Sequence, residues 1–438
     1  MTSTAQADAQ DPVHIGVAEA ARAIADGTLS AVQLVESCLA RITAREPEVA
    51  AWEYVDAEGA LARAAELDAL PASLGPLHGV PFGVKDIIDC AGMPTGFGTP
   101  LYGPVTAFRD AGCVALLKEA GAICLGKTVT TELGHVSPGK TRNPFNPDRT
   151  PGGSSSGSAA AVGDGMVPFA LGTQTTGSTL RPASYCGVYG YKPTRGDVSN
   201  SGVLPNAPSF DTVGVMAHAL ADLPLLRAAL CRDSLRPLRS VAATGLRVAL
   251  FKGPAPEEPE PCMIALLQQA GARYSASGAT VTTLDLPRSF DAAADLHATV
   301  SGYEFARGLS WERLTHNDAL SDALRLGRMQ TGLNVSAQAY QDALAQVLML
   351  RAEFDALASD YDVILTPSAH GEAPLGLSST GSSALNTLYS LLGVPVLSMP
   401  LGLGPNHCPI GLQLIGRTGR DGDLFDIATS LRDLFAIR

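Results

Sequence analysis

The stretch from Thr150 to Pro193 limits the possible folds of this chain more than any other. It holds two turns rich in glycine and serine, separated by an alternating run of small and apolar residues, TPGGSSSGSAAAVGDGMVPFALGTQTTGSTLRPASYCGVYGYKP. Glycine at this density predicts backbone that lies close to a ligand, in conformations that side chains forbid. The second turn, Thr173–Ser178, follows the apolar run Met166–Leu171, which predicts that it leaves the end of a strand. Consecutive N–H groups in such a turn can converge on an oxyanion, and Ser178 is the candidate nucleophile beside them.

Composition excludes several classes of protein. The 438 residues suffice for one large or two ordinary domains, and 46% hydrophobic with 17% charged residues predicts a folded core. A net charge of −12 without any basic run argues against a nucleic-acid surface. The polar start and the absence of an apolar run of about 20 residues predict neither a signal peptide nor a membrane span. Eight scattered cysteines without a C-x-x-C pair indicate a reducing compartment, so we expect a soluble cytoplasmic protein.

Helical and strand-like patterns alternate along the chain. A capping-box sequence at Ser30–Gln33 starts a helical pattern that continues to Pro47. Leu77–Asp89 is typical of a buried strand that carries one charge out of place, Lys85. Further helices are predicted at 56–70, 110–120, 262–277, 385–392 and 423–435, and further strands at 123–126, 246–251, 281–286, 362–366, 396–400 and 410–415. This alternation predicts an α/β fold.

The chain shows no internal repeat and no clean linker, which favours a single domain over residues 1–438. Residues 1–12 are expected to form a flexible tail. Residues 70–235 and 360–438 are expected to build the catalytic core. Residues 290–358 hold almost no proline, and we expect them to form a helical insertion that covers the core.

Three short motifs match patterns of other protein classes, but the sequence around them does not fit those classes. Gly121–Thr128 and Gly134–Thr141 match the phosphate-loop pattern G-x-x-x-x-G-K-[ST]. In the first, the middle residues are themselves an apolar strand, and in the second Asn-Pro-Phe-Asn-Pro follows where a helix has to begin. Gly153–Gly157 matches the nucleophile-elbow pattern G-x-S-x-G around Ser155, but the preceding residues predict a loop rather than a strand. Neither nucleotide binding nor an α/β-hydrolase site is favoured.

Lys85, the serines at 154–156 and Ser178 remain as candidates for chemistry. A hydroxyl nucleophile needs a base at neutral pH. A lysine within the apolar run Val80–Ile88 would have its charged form disfavoured by burial, and it would then accept a proton. The alternative is an ordinary lysine that reaches solvent or pairs with Asp86 or Asp89.

The arrangement resembles the amidase signature family, from about Ser30 to Phe435. The motifs that carry the resemblance are PFGVKD (81–86), TPGGSSSGSAAAV (150–162), GTQTTGSTLRPASYCGVYGYKPT (172–194), SFDTVGVMA (209–217) and PIGLQLIG (409–416). The resemblance implies one α/β/α domain around a large mixed sheet. It also implies hydrolysis of amides and related C–N bonds, including carbamates, without a metal or organic cofactor.

Within this resemblance, Lys85 falls on the family lysine, Ser154 on a bridging serine held by a cis peptide, and Ser178 on the nucleophile. The backbone N–H groups of residues 175–178 (Thr175, Thr176, Gly177 and Ser178) are implied to face the oxyanion. Ser155 and Ser156 are expected to hold the turn. The commonest form of the second turn is GTDTGGS, so Gln174 here replaces an acid and Thr176 replaces a glycine.

The substrate is less constrained. Arg181 suits a substrate carboxylate, although a structural ion pair is equally compatible with its position. Gln174 is a candidate for scaffolding or substrate contact. The remaining pocket candidates, by family position alone, are Tyr102, Phe108, His135 and Tyr389. Each of these four is also compatible with an ordinary core or loop role.

We therefore expect an amidohydrolase of small or varied substrates, with carbamates (urethanes) and aryl amides among them. One alternative is an amidotransferase subunit that releases ammonia from glutamine for a partner. Another is a hydrolase of malonamate- or allophanate-like acids. A non-catalytic binding protein with the same fold is the least favoured reading. The oligomeric state stays open, with a homodimer among the candidates.

Overall fold

All eleven strands of the computed structural model form one mixed sheet, which confirms the predicted α/β class. The structure describes residues 15–103, 105–254 and 258–436, so the tail predicted over residues 1–12 lies outside it. The strands lie in the order β1-β3-β2-β4-β6-β5-β10-β11-β9-β7-β8. Their bounds are β1 Trp52–Val55, β2 Pro81–Lys85, β3 Ile123–Thr128, β4 Phe169–Gln174, β5 Tyr189–Lys192, β6 Thr212–Ala217, β7 Arg247–Leu250, β8 Thr280–Thr283, β9 Val363–Pro367, β10 Val396–Leu403 and β11 Pro409–Ile415.

Helices pack around this sheet. Their bounds are α1 Val17–Ala25, α2 Ala31–Val49, α3 Ala57–Asp68, α4 Gly112–Glu119, α5 Ser156–Gly163, α6 Leu180–Tyr185, α7 Asp222–Cys231, α8 Pro261–Ala276, α9 Ala293–Gly308, α10 Ser310–His316, α11 Gln330–Leu333, α12 Ala337–Ala358, α13 Ala384–Leu392 and α14 Asp421–Phe435. A π-helical segment, Ala323–Met329, lies directly before α11. None of the described helices is long and apolar enough to cross a membrane.

The sheet brings Lys85 and the second turn to the same edge. Strand β2 runs parallel to both β3 and β4 and lies between them. Their carboxyl ends therefore meet at one edge of the sheet. Lys85 is the last residue of β2, and the second turn leaves the end of β4 as expected from the apolar run before it.

The residues 290–358 form mostly helices, as their sequence predicts. Helix α9 packs against α11, α12 and α13. A core of Phe290, Val300, Phe354 and Leu388 joins these helices to the sheet residues Ala249 and Ile364. These helices are thus anchored by apolar packing, and side chains from this segment reach the second turn. That they cover the core stays a prediction.

Some element boundaries differ from the predicted ones. Helix α2 continues through Pro47 to Val49, because the end of the helix gains other support there: Glu46 accepts hydrogen bonds from the backbone of Ala51 and Trp52. The predicted strand 281–286 is shorter and starts earlier, at Thr280–Thr283. The first phosphate-loop match is strand β3, as its apolar middle predicts.

Gly157 in α5 provides a test of how tightly the first turn is held. A Cβ atom at this position would lie 2.2 Å from the carbonyl oxygen of Ala51 and 2.3 Å from the amide of Val129. We expect Gly157→Ala to lower the free energy of unfolding by roughly 3 kcal/mol, because backbone has to move apart. Gly402→Ala, where a Cβ meets open space, is the matched control. Equal denaturation midpoints for both variants would contradict this packing.

Candidate active site

The amine of Lys85 is fully buried at the end of β2. Its Nζ donates to Ser154 Oγ at 2.7 Å and to Thr173 Oγ1 at 2.7 Å. It forms no ion pair with any described carboxylate, and Asp211 supplies only a more distant charge. Lys85 therefore contacts two hydroxyl groups and no charge-neutralising partner.

Asp86, the acid next to Lys85 in the sequence, pairs with Lys127 instead. Asp86 accepts a hydrogen bond from Lys127 Nζ at 2.9 Å and another from the backbone of Gly96 at 3.0 Å. Successive strand residues point to opposite faces, so Asp86 points away from Lys85. Lys127 pairs in register with Val84, which places it on the side of Asp86. The alternative in which Asp86 pairs with Lys85 is therefore wrong.

Burial determines the protonation of Lys85. Removal from water disfavours the ammonium form and lowers the pKa of Lys85 to about 7, while the negative charge of Asp211 opposes this shift. A substantial fraction of the amine is thus neutral near pH 7. Its lone pair can accept a proton from the hydroxyl that it contacts.

Ser154 is held on both sides. The Gly153–Ser154 peptide bond is cis, as the resemblance implied. The carbonyl of Gly153 accepts from Arg181 Nη2 at 2.5 Å, and the carbonyl of Ser154 accepts from the backbone of Thr131 at 3.3 Å. Its side chain is buried beside the Lys85 amine.

Ser155 has a structural role. It is buried, and its Oγ donates to the carbonyl of Thr173 at 3.3 Å and accepts from the amide of Thr173 at 3.2 Å. This side chain ties the first turn to β4 and has no base beside it. Ser156 likewise bonds the carbonyl of Val129, at 3.4 Å.

The second turn has its carbonyl groups bound and its N–H groups unbound. Within the described chain, the backbone N–H groups of residues 175–178 make no hydrogen bond, whereas every carbonyl of these residues accepts one. The carbonyls of Thr175, Thr176, Gly177 and Ser178 are bound respectively by His297 Nε2 (2.9 Å), Ser390 Oγ (2.7 Å), Arg181 N (3.0 Å) and Ser155 N (3.3 Å). Because the two groups of a peptide unit point in opposite directions, the N–H groups face away from these partners.

Ser178 stands at the end of this turn, immediately before α6. Its side chain is partly exposed. A hydrogen bond from its Oγ to Ser154 is not among those that the described residues make. Catalytic hydrogen bonds are often long in the absence of substrate and tighten in the reacting complex.

Two predicted substrate contacts are corrected by the structure. Gln174 is fully buried, and both ends of its amide bond protein groups: Thr179 N, Leu180 N and Ser390 Oγ. Tyr389 is 1% exposed and packs in the core with Phe210 and Leu388. Neither has a face open to a substrate, because family position indicates where a residue lies but not the direction of its side chain.

Arg181 is buried, and its guanidinium donates hydrogen bonds to protein groups. Besides the Gly153 carbonyl, Nη2 bonds Thr380 Oγ1 at 3.1 Å. No described acid pairs with it, so the structural role takes the form of hydrogen bonds rather than an ion pair. Recognition of a substrate carboxylate by Arg181 stays a prediction.

Tyr102 and His135 contact residues of helices α10 and α9, respectively. Tyr102 donates to Glu312 of α10, and its ring lies tilted against that of Phe97 with centroids 4.7 Å apart. His135 is partly exposed and lies against Phe305, with ring centroids 5.0 Å apart. By contrast, Phe108 is 90% exposed. A substrate contact by any of the three stays a prediction.

Sequence reasoning missed several groups beside the second turn. Arg328 lies in the π-helical segment, and its Nη2 bonds Thr176 Oγ1 at 3.4 Å. The Thr176 side chain therefore faces Arg328. Asp211 accepts from Thr175 Oγ1 at 2.5 Å. His297 and Ser390 come from α9 and α13, and no local motif marks them because the fold alone brings them to the turn. Among the described residues, no three His, Cys, Asp or Glu side chains are placed to hold a metal ion.

A family model described as Amidase matches residues 33–425. The chain belongs to the amidase family. Among its relatives, the glutamyl-tRNA(Gln) amidotransferase subunits A of Chloroflexus aggregans and Roseiflexus castenholzii are 33% and 34% identical. The first alignment covers 96% of this chain and 95% of the relative, and the second covers 92% of each.

Solved amidase structures share the whole fold. The native peptide amidase from Stenotrophomonas maltophilia is 29% identical, with a TM-score of 0.83 over 97% of each chain. A structure described as an unexpected vestigial protein complex, which concerns the origins of an s-triazine catabolic enzyme, is 28% identical. Its TM-score is 0.85, over 96% of this chain and 98% of the other. The predicted family and fold are thereby confirmed.

The lowered pKa of Lys85 has a consequence for stability that needs no substrate. Between pH 7 and the ordinary lysine pKa of 10.5, the unfolded chain binds a proton that the folded chain does not. The free energy of unfolding therefore rises with pH through this window. Lys85→Met removes this contribution, so we expect the variant to gain stability relative to the parent at pH 7 and to lose that advantage towards pH 10. A pH-independent difference in denaturation midpoint would show that Lys85 is protonated in the fold.

Proposed function

We propose that this protein hydrolyses C–N bonds of small amides or carbamates through a covalent intermediate on Ser178. One observation carries the proposal. The amine of Lys85, which has no ion-pair partner among the described residues, lies 2.7 Å from Ser154 Oγ. At the same sheet edge, the second turn presents unbound N–H groups beside Ser178. This combination supplies a base, a relay hydroxyl, a nucleophile and an oxyanion site.

The steps follow from these groups. Neutral Lys85 takes the proton of Ser154 Oγ, and Ser154 takes the proton of Ser178 as Ser178 Oγ attacks the carbonyl carbon. The carbonyl π electrons move onto oxygen, and the N–H groups of residues 175–178 stabilise the resulting oxyanion. As the C–N bond breaks, protonated Lys85 returns the proton through Ser154 to the leaving nitrogen. Water then repeats the attack and releases the acid or carbamic acid from Ser178.

A cavity beside helices α9 and α13 supports the proposal of substrates with a hydrocarbon part. It measures about 600 Å³ and lies between α9 and α13, the helices that carry His297 and Ser390. Its lining is mostly apolar and includes Phe251, Leu286, Phe290 and Leu388. We propose that aryl or alkyl groups of amides and urethanes occupy it. Eight scattered cysteines without a C-x-x-C pair support action in a reducing compartment such as the cytoplasm.

An amidotransferase subunit is the second candidate, because relatives of 33–34% identity carry that name. Such a subunit would release ammonia from glutamine together with a partner protein. Glutamine hydrolysis that appears only when a co-purified partner is present, with no turnover of aryl amides or carbamates, would favour this candidate.

A substrate panel with matched serine variants tests the first proposal. The panel contains a nitroanilide, a short primary amide, a malonamate-like acid, an aryl carbamate and glutamine. We expect Ser178→Ala to lower kcat on the best substrate by about 10³-fold or more. Ser156→Ala removes a buried hydroxyl two residues from Ser154 and should retain activity within a few fold. Equal activity of the parent and Ser178→Ala would contradict the mechanism.

The same panel tests Arg181. If the Arg181 guanidinium binds a substrate carboxylate, the parent protein should prefer the malonamate-like acid over a neutral amide of equal size. Arg181→Met should lose this preference. Parallel losses on both substrates would indicate that Arg181 only supports Gly153 and Thr380.

The pH dependence of kcat/KM tests the base. Lys85 acts when deprotonated, so activity is present above its pKa of about 7 and falls about tenfold per pH unit below it. Circular dichroism at pH 6 is the control for folding. A profile that stays flat down to pH 5 would exclude Lys85 as the base.

A further inference from the structure

Gln174 links the start of α6 to the second turn. Its Oε1 lies 3.0 Å from the amide of Thr179 and 3.1 Å from the amide of Leu180. Two N–H donors require an acceptor, so the carbonyl end of the side chain is fixed there. The Nε2 end therefore faces Ser390 Oγ, at 3.0 Å.

This orientation sets the direction of the next hydrogen bond. An amide NH₂ group only donates, so Ser390 Oγ accepts from Gln174 and keeps its own proton for another acceptor. That acceptor is the carbonyl of Thr176, at 2.7 Å. A carboxylate of the same length at position 174, as in Gln174→Glu, would accept from Ser390 and compete for this proton.

The carbonyl of Thr176 belongs to the peptide unit whose N–H is that of Gly177. Because this unit is planar and trans, holding the oxygen on one side fixes the N–H on the other. Gly177 also has little room to adjust, since a Cβ there would lie 2.6 Å from Asn386 Oδ1. The hydrogen-bond chain from Gln174 through Ser390 thus ends at one of the four unbound N–H groups.

We propose that Gln174 and Ser390 are positioning residues that aim the N–H of Gly177 at the oxyanion. The inference rests on the proposed function, since it assigns these residues to the same reaction. It explains how a turn without the usual acid retains its geometry. Glutamine keeps the two contacts at the start of α6 and adds a donor that orients Ser390.

The expected effect lies on the transition state. Loss of one donor from an oxyanion site costs about 10²–10³ in kcat, and a donor that is present but misaimed should cost less, roughly tenfold. Binding of the ground-state amide does not depend on this donor to the same extent, so KM should change little.

Ser390→Ala removes the donor to Thr176 and is the central variant. We expect kcat to fall about tenfold at nearly constant KM, with a similar loss of affinity for an aldehyde analogue of the best substrate, which forms a tetrahedral adduct. Ser390→Thr retains a hydroxyl and should recover most of the activity. Ser184→Ala is the matched control, because it removes an equally buried hydroxyl of α6 that bonds Ser368 away from the turn.

Gln174→Glu tests the direction of the chain. It preserves the shape and the acceptor for Thr179 and Leu180, but it takes the Ser390 proton away from Thr176. The two changes should therefore be non-additive: once Ser390 is alanine, Gln174→Glu should cost little more in kcat.

Four results would overturn the proposal, and the first three concern kinetics. These are equal losses in Ser390→Ala and Ser390→Thr, a change confined to KM, and additive effects of the two substitutions. The fourth concerns stability. If Ser390→Ala lowers the melting temperature enough to explain its loss of activity, while Ser184→Ala does not lower it, then Ser390 contributes to stability alone. Failure of the proposed function is distinguishable, because the parent protein would then show no turnover and no adduct with the aldehyde.

Discussion

A lysine amine buried without an acid beside it is the constraint on which this structure depends. Two lysines, Lys85 and Lys127, are fully buried on neighbouring parallel strands, and the carboxylate of Asp86 directly follows Lys85 in the sequence. The alternation of side chains along β2 gives that carboxylate to Lys127. Lys85 is left with the hydroxyls of Ser154 and Thr173, and burial lowers its pKa to about 7.

The second constraint is the distribution of hydrogen bonds around the turn at residues 175–178. Its carbonyls are bound by groups from α9, α13, α6 and the first turn, which are far apart in sequence. Its N–H groups are left without partners in the described chain. Polar groups of a folded backbone are normally satisfied, so the run of unbound donors beside Ser178 supports the proposal that a negatively charged oxygen binds there.

Sequence patterns predicted the parts of the site that lie on strands and turns. The apolar run before Thr173 predicted the strand. The position of Lys85 within the apolar run Val80–Ile88 left both a buried base and an ordinary lysine open, and the structure shows Lys85 fully buried at the end of β2. The groups that reach the turn from helices had no such signal. Ser390 lies in an ordinary apolar helix, and Arg328 lies in a π-helical segment with a kink at Gly327. Gln174 and Tyr389 were predicted to contact substrate, but both are buried, because the direction of their side chains follows from tertiary packing.

Helices α9 and α13 both pack against the sheet and line the cavity. They are held by apolar packing against the sheet, and the same helices supply His297 and the wall of the cavity of about 600 Å³. Under the proposed function, substrate selection is therefore expected to vary with these helices, while Lys85 and Ser178 are positioned by the sheet edge.

Intact-mass and peptide mass spectrometry after treatment with a fluorophosphonate probe tests the central claim most directly. The phosphonyl group should be found on Ser178 in the folded parent protein. Labelling should be strongly slowed in Lys85→Met and absent in Ser178→Ala. Labelling of Ser178 at the same rate in Lys85→Met, or labelling of Ser155 instead, would contradict the account in which a buried neutral lysine activates Ser178 through Ser154.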